Sequence, residues 1–198
     1  FRRDLHENPR AAVNNFYSNL LLEKTSEITT VKEAIGGLPK LYPIKAAEGR
    51  NSHAEDEVNL VADHQPRFHS HRDIEIFKML AEDIASGRNK YTSSDALKSL
   101  YTEKTGKKSA VHKYYVLRES MPSNTIPAHL YKDGLRHIHP DPKQARSITV
   151  REAACLQSFD LDFKFKGPNG SKYKMIGNAV PPLFAEKIGK ALSIILNN

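Results

Sequence analysis

Apolar positions recur at helical spacing in several separate stretches of this chain. Over residues 10–22, Val13, Phe16, Tyr17, Leu20 and Leu21 fall on one side, the pattern of an amphipathic helix. Thr30-Val-Lys-Glu33 has the spacing of a capping box, in which the threonine oxygen accepts the Glu33 amide and the glutamate reaches back. The short helix it starts should stop at Gly36-Gly37, with Pro39 enforcing the stop. Residues 43–72 are polar with weak periodicity and read as a loop. A clearer helix follows, with Asp73 expected as its cap and Phe77, Leu80 and Ile84 at helical spacing before Ser86-Gly87. Another is expected at about 94–104, with Ala96, Leu97, Leu100 and Tyr101 on its apolar side and Gly106 after it.

The pattern then changes. Tyr114–Leu117, Thr125–Leu130 and Leu135–Ile138 read as strands, with a hairpin-type turn at Asp133-Gly134. Thr149-Val-Arg-Glu152 is a second capping box, and its helix should run to about Phe159. Lys164 to Ser171, with Gly167-Pro-Asn-Gly170, is turn-rich. The last helix should begin at Pro181-Pro182, where proline suits a first turn. Its broad stripe of Leu183, Phe184, Ile188, Ala191, Leu192 and Ile195 needs a partner surface. That partner is either the rest of a larger fold or another copy of the chain.

The chain has 198 residues and is 39% hydrophobic, so it can build a core alongside long polar loops. No apolar run approaches the ~18–20 residues that cross a bilayer. The chain does not open on a signal peptide, and its single cysteine, Cys155, can form no internal disulfide. These features predict a cytoplasmic protein with no membrane partner. The net charge of +7 is unevenly placed: residues 86–118 carry Arg88, Lys90, Lys98, Lys104, Lys107, Lys108, Lys113 and Arg118 against Asp95 and Glu103 alone. A phosphate backbone is one partner for such a face, and a solvated lysine surface is the other reading.

Two blocks carry chemistry of a specific kind. The first is Arg146-Ser-Ile-Thr-Val-Arg-Glu-Ala-Ala-Cys-Leu-Gln-Ser-Phe159, and the second is Tyr173-Lys-Met-Ile-Gly-Asn-Ala-Val-Pro-Pro182. They resemble the ninth and tenth sequence motifs of bacterial DNA cytosine-5 methyltransferases, in the family's order and spacing. Val31-Lys-Glu-Ala-Ile35 with Leu38-Pro39 resembles the family's approach to its target-recognition domain, and Pro122-Ser-Asn-Thr-Ile126 resembles the way out of it. Phe1-Arg-Arg-Asp-Leu5 resembles the tail of the eighth motif's strand.

The resemblance implies a role for particular residues. Asn178 and Ala179 would line the S-adenosylmethionine pocket, and Gly177-Asn178 before a helix start would let backbone approach an anionic group. Thr125 would hold a DNA phosphate beside the flipped base. Arg146 and Arg151 would brace the recognition domain against the catalytic domain near the DNA backbone. Independently, an arginine in a helix's first turn is unfavourable for the helix dipole, so Arg151 should point at an acceptor elsewhere. Arg67 and His69 fall in a loop with His64, His71 and Arg72 that could read base edges or phosphates. His69-x-His71 and His137-x-His139 could bind metal, but no matched carboxylate or second pair stands out, so no metal site is expected.

The family's chemistry needs a thiolate that attacks C6 of a flipped cytosine, normally in a Pro-Cys dipeptide, and a glutamate in Glu-Asn-Val. Neither dipeptide nor tripeptide occurs here, and Cys155, preceded by Ala154, reads as a small core residue. No catalytic residue is therefore expected in these residues. The expected fold is mixed α/β. Residues 1–29 would be the tail of a catalytic domain, 30–145 a small α+β recognition domain, and 146–198 a helical return to an incomplete Rossmann-like domain. The expected function is recognition of double-stranded DNA, so that the full enzyme, with its N-terminal catalytic half, methylates cytosine in a restriction-modification system. The alternative is a stand-alone, non-catalytic DNA-binding module on the same scaffold.

Overall fold

The computed structural model describes residues 8–24, 27–48, 51–55, 61–132 and 134–196, so Phe1–Leu5 and Asp133 lie outside the described residues. The molecule is mixed α/β, mostly helical, with one small sheet among the described residues. Helix α1, Pro9–Leu22, is capped by Asn8, which accepts the Ala11 amide. Helix α2, Val31–Ile35, closes its capping box: Glu33 N donates to Thr30 Oγ1 at 3.2 Å and Thr30 N donates to the Glu33 carboxylate at 2.7 Å. The segment read as a loop instead contains the hairpin, β1 (Leu41–Glu48) and β2 (Asn51–Glu55), antiparallel with Leu41 opposite Glu55 and Pro43 opposite His53. The alternation was hidden because its register is irregular between Pro43 and Glu48 and because Ser52 and His53, on opposite faces of β2, are both buried and both polar.

Helix α3, His71–Ala85, starts before the expected position. Its cap is Ser70, whose hydroxyl accepts the Asp73 amide at 3.2 Å, and Asp73 sits inside the first turn where a carboxylate favours the helix dipole. Helix α4, Ser94–Thr105, ends on Gly106 at φ 69°, a left-handed cap that glycine takes without strain. The expected strands at 114–117 and 135–138 reduce to isolated bridges, Val116 with Ile138 and Ile138 with Ser147. Residues expected to be a strand at 125–130 instead turn into a 3-10 helix, Ala128–Tyr131, which follows Pro127. Helix α5, Val150–Leu156, ends before Phe159, and Ser158 there has φ 62°. Helix α6, Asn169–Asn178, begins inside the stretch read as turn-rich, and α7 spans Pro182–Leu196.

Two hydrophobic cores result. The first joins Val31 and Ile35 of α2 to Leu117, Ile126, Leu130, Ile148, Val150, Ala153, Tyr173 and Ile176. The second joins Ile76, Phe77 and Leu80 of α3 to Leu97, Leu100, Tyr114, Val116, Ile138 and Ala145. Residues 114–117 are shared by alternation: Tyr114 and Val116 face the second core while Tyr115 and Leu117 face the first. Helices α1 and α7 pack on each other, burying Ala12, Ala191 and Ile195, and Lys187 donates to the Glu23 carbonyl. Tyr17, Leu21, Leu183, Phe184 and Leu196 of this pair stay exposed. No helix among the described residues is long and apolar enough to cross a membrane.

Candidate functional site

The second capping box anchors a buried ionic network. Thr149 Oγ1 accepts the Glu152 amide at 3.1 Å, and Thr149 N donates to Glu152 Oε2 at 2.7 Å. Both Glu152 oxygens also accept from Arg146, at 2.7 Å each. Burial pushes the Glu152 carboxyl up, but the Arg146 charge and hydrogen bonds outweigh it and hold the group below the usual carboxylate range. Arg146 donates further to Gln144 Oε1 and the Ser147 carbonyl, and only its Nε has no partner. Gln144 Oε1 also accepts the Leu41 amide, so the network reaches the start of β1.

Arg151 does point at acceptors elsewhere. Its guanidinium donates to the carbonyls of Ala62 (2.9 Å), Asp160 (3.2 Å) and Phe163 (2.8 Å), and its amide donates to the Asp63 carbonyl. Asp63, at φ 65°, pairs through its carboxylate with Lys172 of α6 and lies 3.7 Å from Arg151. Next along the chain, His64 Nε2 donates to the Pro39 carbonyl, leaving Nδ1 to accept the Thr149 hydroxyl at 3.0 Å. Arg67 stacks 4.0 Å over the Tyr173 ring and donates to the carbonyls of Leu130 and Tyr131.

His69 is equally committed. Its Nε2 accepts the Ser147 amide, its ring edges onto Phe77, and burial pulls its pKa down to about 3. Burial likewise brings His53, His137 and His139 to about 4. His53 donates to the Gln144 carbonyl, His137 to the Thr125 carbonyl, and His139 accepts the Asp141 amide. His71 is exposed beside Glu75. Among the described residues no His, Cys, Asp and Glu group of three or more could hold a metal ion. Of the residues expected to contact DNA, Arg67, His69, Arg146 and Arg151 thus sit in the protein's own bracing, with their polar atoms largely satisfied by protein.

Thr125 is placed differently. It is exposed on the wall of an open cleft of about 490 Å³ lined by Lys113, His112, Asn124, Pro127, His129 and Arg136. Arg136 donates to His112 Nε2 at 3.3 Å, and the Asn124 side-chain oxygen has no partner. The cleft therefore presents cations and a hydroxyl together, donors suited to a phosphate backbone.

Asn178 and Ala179 line a shallow concavity of about 420 Å³ with Ser171, Lys174 and Met175. Here the structure corrects the sequence reading: Gly177 and Asn178 close α6 rather than open α7. Gly177 does allow a close approach, but to protein. A Cβ on it would lie 2.4 Å from the Pro127 carbonyl atoms.

A family model of C-5 cytosine-specific DNA methylases matches residues 1–193. The chain belongs to the C-5 cytosine-specific DNA methylase family. Over 144 residues it is 38% identical to the type II methyltransferase M.Bpa9945I of Bacillus paralicheniformis, covering 72% of this chain and 32% of that protein. The type II methyltransferase M1.HphI of Haemophilus parahaemolyticus is 30% identical over 84% of this chain and 37% of its own length. M.PspPI of Psychrobacter, also a type II methyltransferase, reaches 50% identity over 56 residues, 28% of this chain and 14% of its own length. The chain spans between about a third and a half of the length of the methylase-family relatives that match most of it.

Within this methylase-family chain, Cys155 is half-buried against the first core, and burial pushes its thiol up, away from the thiolate. Lys113 belongs to the basic run read from the sequence, and the residues that reading missed are His112, His129 and Arg136 of the cleft and the Asp63–Lys172 pair. Each meets its neighbours only through long-range folding, so local periodicity carried no trace of them.

Proposed function

We propose that these residues supply the DNA-facing part and one cofactor-facing wall of a DNA cytosine-5 methyltransferase acting in a type II restriction-modification system. The observation that carries the reading is the exposed Thr125 hydroxyl in a cleft lined by Lys113, Arg136 and three histidines, in a chain of this family. The cations attract the duplex, and the Thr125 hydroxyl donates to a phosphate at the flipped base. Arg67, His69, Arg146 and Arg151 act on DNA indirectly, by fixing the segments that form the cleft. Residues 30–145 form the recognition unit, while 1–29 and 146–198 join a Rossmann-like domain completed by other polypeptide.

The concavity at the end of α6 suits one side of S-adenosylmethionine. The Asn178 amide offers donors and an acceptor, and Lys174 offers a cation to a carboxylate. Bound, the cofactor supplies the electrophilic methyl group. Asn178 and Ala179 hold it from one side, and the exposed apolar residues of α1 and α7 face the remainder of that domain. No Pro-Cys or Glu-Asn-Val is present in these residues and Cys155 is a packing thiol, so the nucleophile comes from outside them.

Alone, these residues bind duplex DNA weakly and transfer nothing. The complete protein, given methyl-labelled S-adenosylmethionine and plasmid DNA from a host without cytosine methylation, should label the DNA. Bisulfite sequencing should then place the mark at one cytosine of a short repeated site. A complete protein carrying Pro-Cys and Glu-Asn-Val that labels no DNA would refute the reading. Binding without labelling would favour a non-catalytic DNA-binding module.

A further inference from the structure

Two concave surfaces of this chain meet back to back across one backbone-to-backbone contact. Pro127 and Leu130 belong to the wall of the basic cleft, and Asn178 and Ala179 belong to the concavity at the end of α6. Between them, Gly177 lies directly on the Pro127–Ala128 peptide: a Cβ would meet Pro127 C and O at 2.4 Å and Ala128 N at 2.5 Å. These are backbone atoms, which cannot swing aside as a side-chain tip can, and ordinary contacts lie near ~3.5–4 Å. One helical turn earlier, on the same face of α6, Tyr173 makes the second attachment. Arg67 stacks on its ring and donates to the Leu130 and Tyr131 carbonyls, while the Tyr173 hydroxyl donates to the Ile148 carbonyl at 2.8 Å. Helix α6 therefore grips the 3-10 turn at both ends.

Resting on the methyltransferase reading above, we propose that this two-point grip is a coupling joint, through which DNA in the cleft tightens the cofactor surface and the cofactor tightens the cleft. Thr125 stands two residues before Pro127, and Asn178 directly follows Gly177, so no slack chain separates either ligand surface from the contact. A duplex that fixes Thr125 fixes the Pro127 carbonyl and with it the end of α6. The effect is reciprocal by linkage. Gly177 touches neither ligand and is a positioning residue: a methyl group there separates the two backbones and lets the surfaces move independently.

The test uses the complete protein, S-adenosylhomocysteine as the cofactor-side probe and plasmid DNA from a host without cytosine methylation as the DNA-side probe. In the unaltered protein, DNA should raise affinity for S-adenosylhomocysteine by about fivefold or more, the lower end of ordinary coupling. Gly177→Ala should reduce that factor to below about twofold while leaving affinity without DNA nearly unchanged. Gly170→Ala, the same change on the same helix where a Cβ meets nothing within 4 Å, should keep the coupling. Arg67→Lys keeps the charge but loses the fork that spans two carbonyls, so it should lose coupling too, and it carries the test if Gly177→Ala does not fold. Coupling that is absent from the unaltered protein, retained in the test variant, or lost equally in Gly170→Ala overturns the proposal. Failure of the unaltered complete protein to methylate any DNA strikes instead at the enzymatic reading beneath it.

Discussion

Arg146 and Glu152 face each other through two parallel hydrogen bonds of 2.7 Å, with neither side chain in contact with water. Removing one partner strands a buried charge. Arg146→Ala should therefore cost about 3–5 kcal/mol of stability. Urea unfolding of the protein and the variant measures it, and a loss below about 1 kcal/mol would show that the pair does not hold this region together.

Four imidazoles set an acid limit on the fold. His69 titrates at about 3 and His53, His137 and His139 at about 4, all below the ordinary 6.5 because they are buried. Between pH 6.5 and 4 the unfolded chain takes up protons that the folded chain refuses. Stability is thus full above this window and falls with pH inside it, by roughly 1.4 kcal/mol per pH unit for each imidazole. The depressed Glu152 carboxyl adds a loss of the same sign at lower pH. Urea midpoints from pH 8 to 4 should fall steeply, and flat midpoints would contradict the neutral, buried state of these rings.

Thr125 is exposed, and among the described residues only its carbonyl is bonded, which leaves its hydroxyl for a ligand. Thr125→Ala should lower affinity for duplex DNA by about tenfold, as loss of one hydrogen bond to a charged group implies, with stability unchanged within ~0.5 kcal/mol. Thr125→Ser should recover most of the binding in fluorescence anisotropy. Equal binding by all three proteins would remove Thr125 from the interface.

The cleft cations should be visible in the salt dependence of binding. Lys113→Ala and Arg136→Ala should each reduce the slope of log K against log salt by about one. An unchanged slope in both variants would place the phosphate path elsewhere, with the lysines of α4 as the next candidates.

How much of this was legible in the sequence depends on how local each signal is. Both capping boxes formed as read, because Thr30–Glu33 and Thr149–Glu152 need only three residues to satisfy themselves. The hairpin at 41–55 was missed because the buried positions of β2, Ser52 and His53, are polar, and because His53 and the Leu41 amide are satisfied by Gln144, about a hundred residues away. Gly177 and Asn178 were placed at the wrong end of a helix because Pro168 starts α6 inside a run of turn-forming residues. Arg146 and Arg151 were legible as bracing residues, whereas Arg67 and His69 were read as facing DNA and not as internal. Only the fold reveals that their acceptors are protein carbonyls, the Glu152 carboxylate and the Tyr173 ring. The cleft basic residues gave no signal beyond charge, since Lys113 and Arg136 come from separate segments; Thr125 was legible only through its motif.

The amides of Val31 and Lys32 donate to the carbonyls of Met121 and Glu119, at 2.9 and 3.0 Å. The chain therefore leaves the first core just after α2 and comes back beside its point of departure. Closing such a loop is an entropic cost that grows only logarithmically with its length, ~0.6 kcal/mol for each doubling. The doorway is built from α2 and residues 119–121, whatever the chain does between them. The intervening stretch is nonetheless tied to the frame it leaves, because Asp63, His64 and Arg67 hold Lys172, Thr149 and Tyr173, so a segment spliced between the same two posts would have to bring those contacts with it.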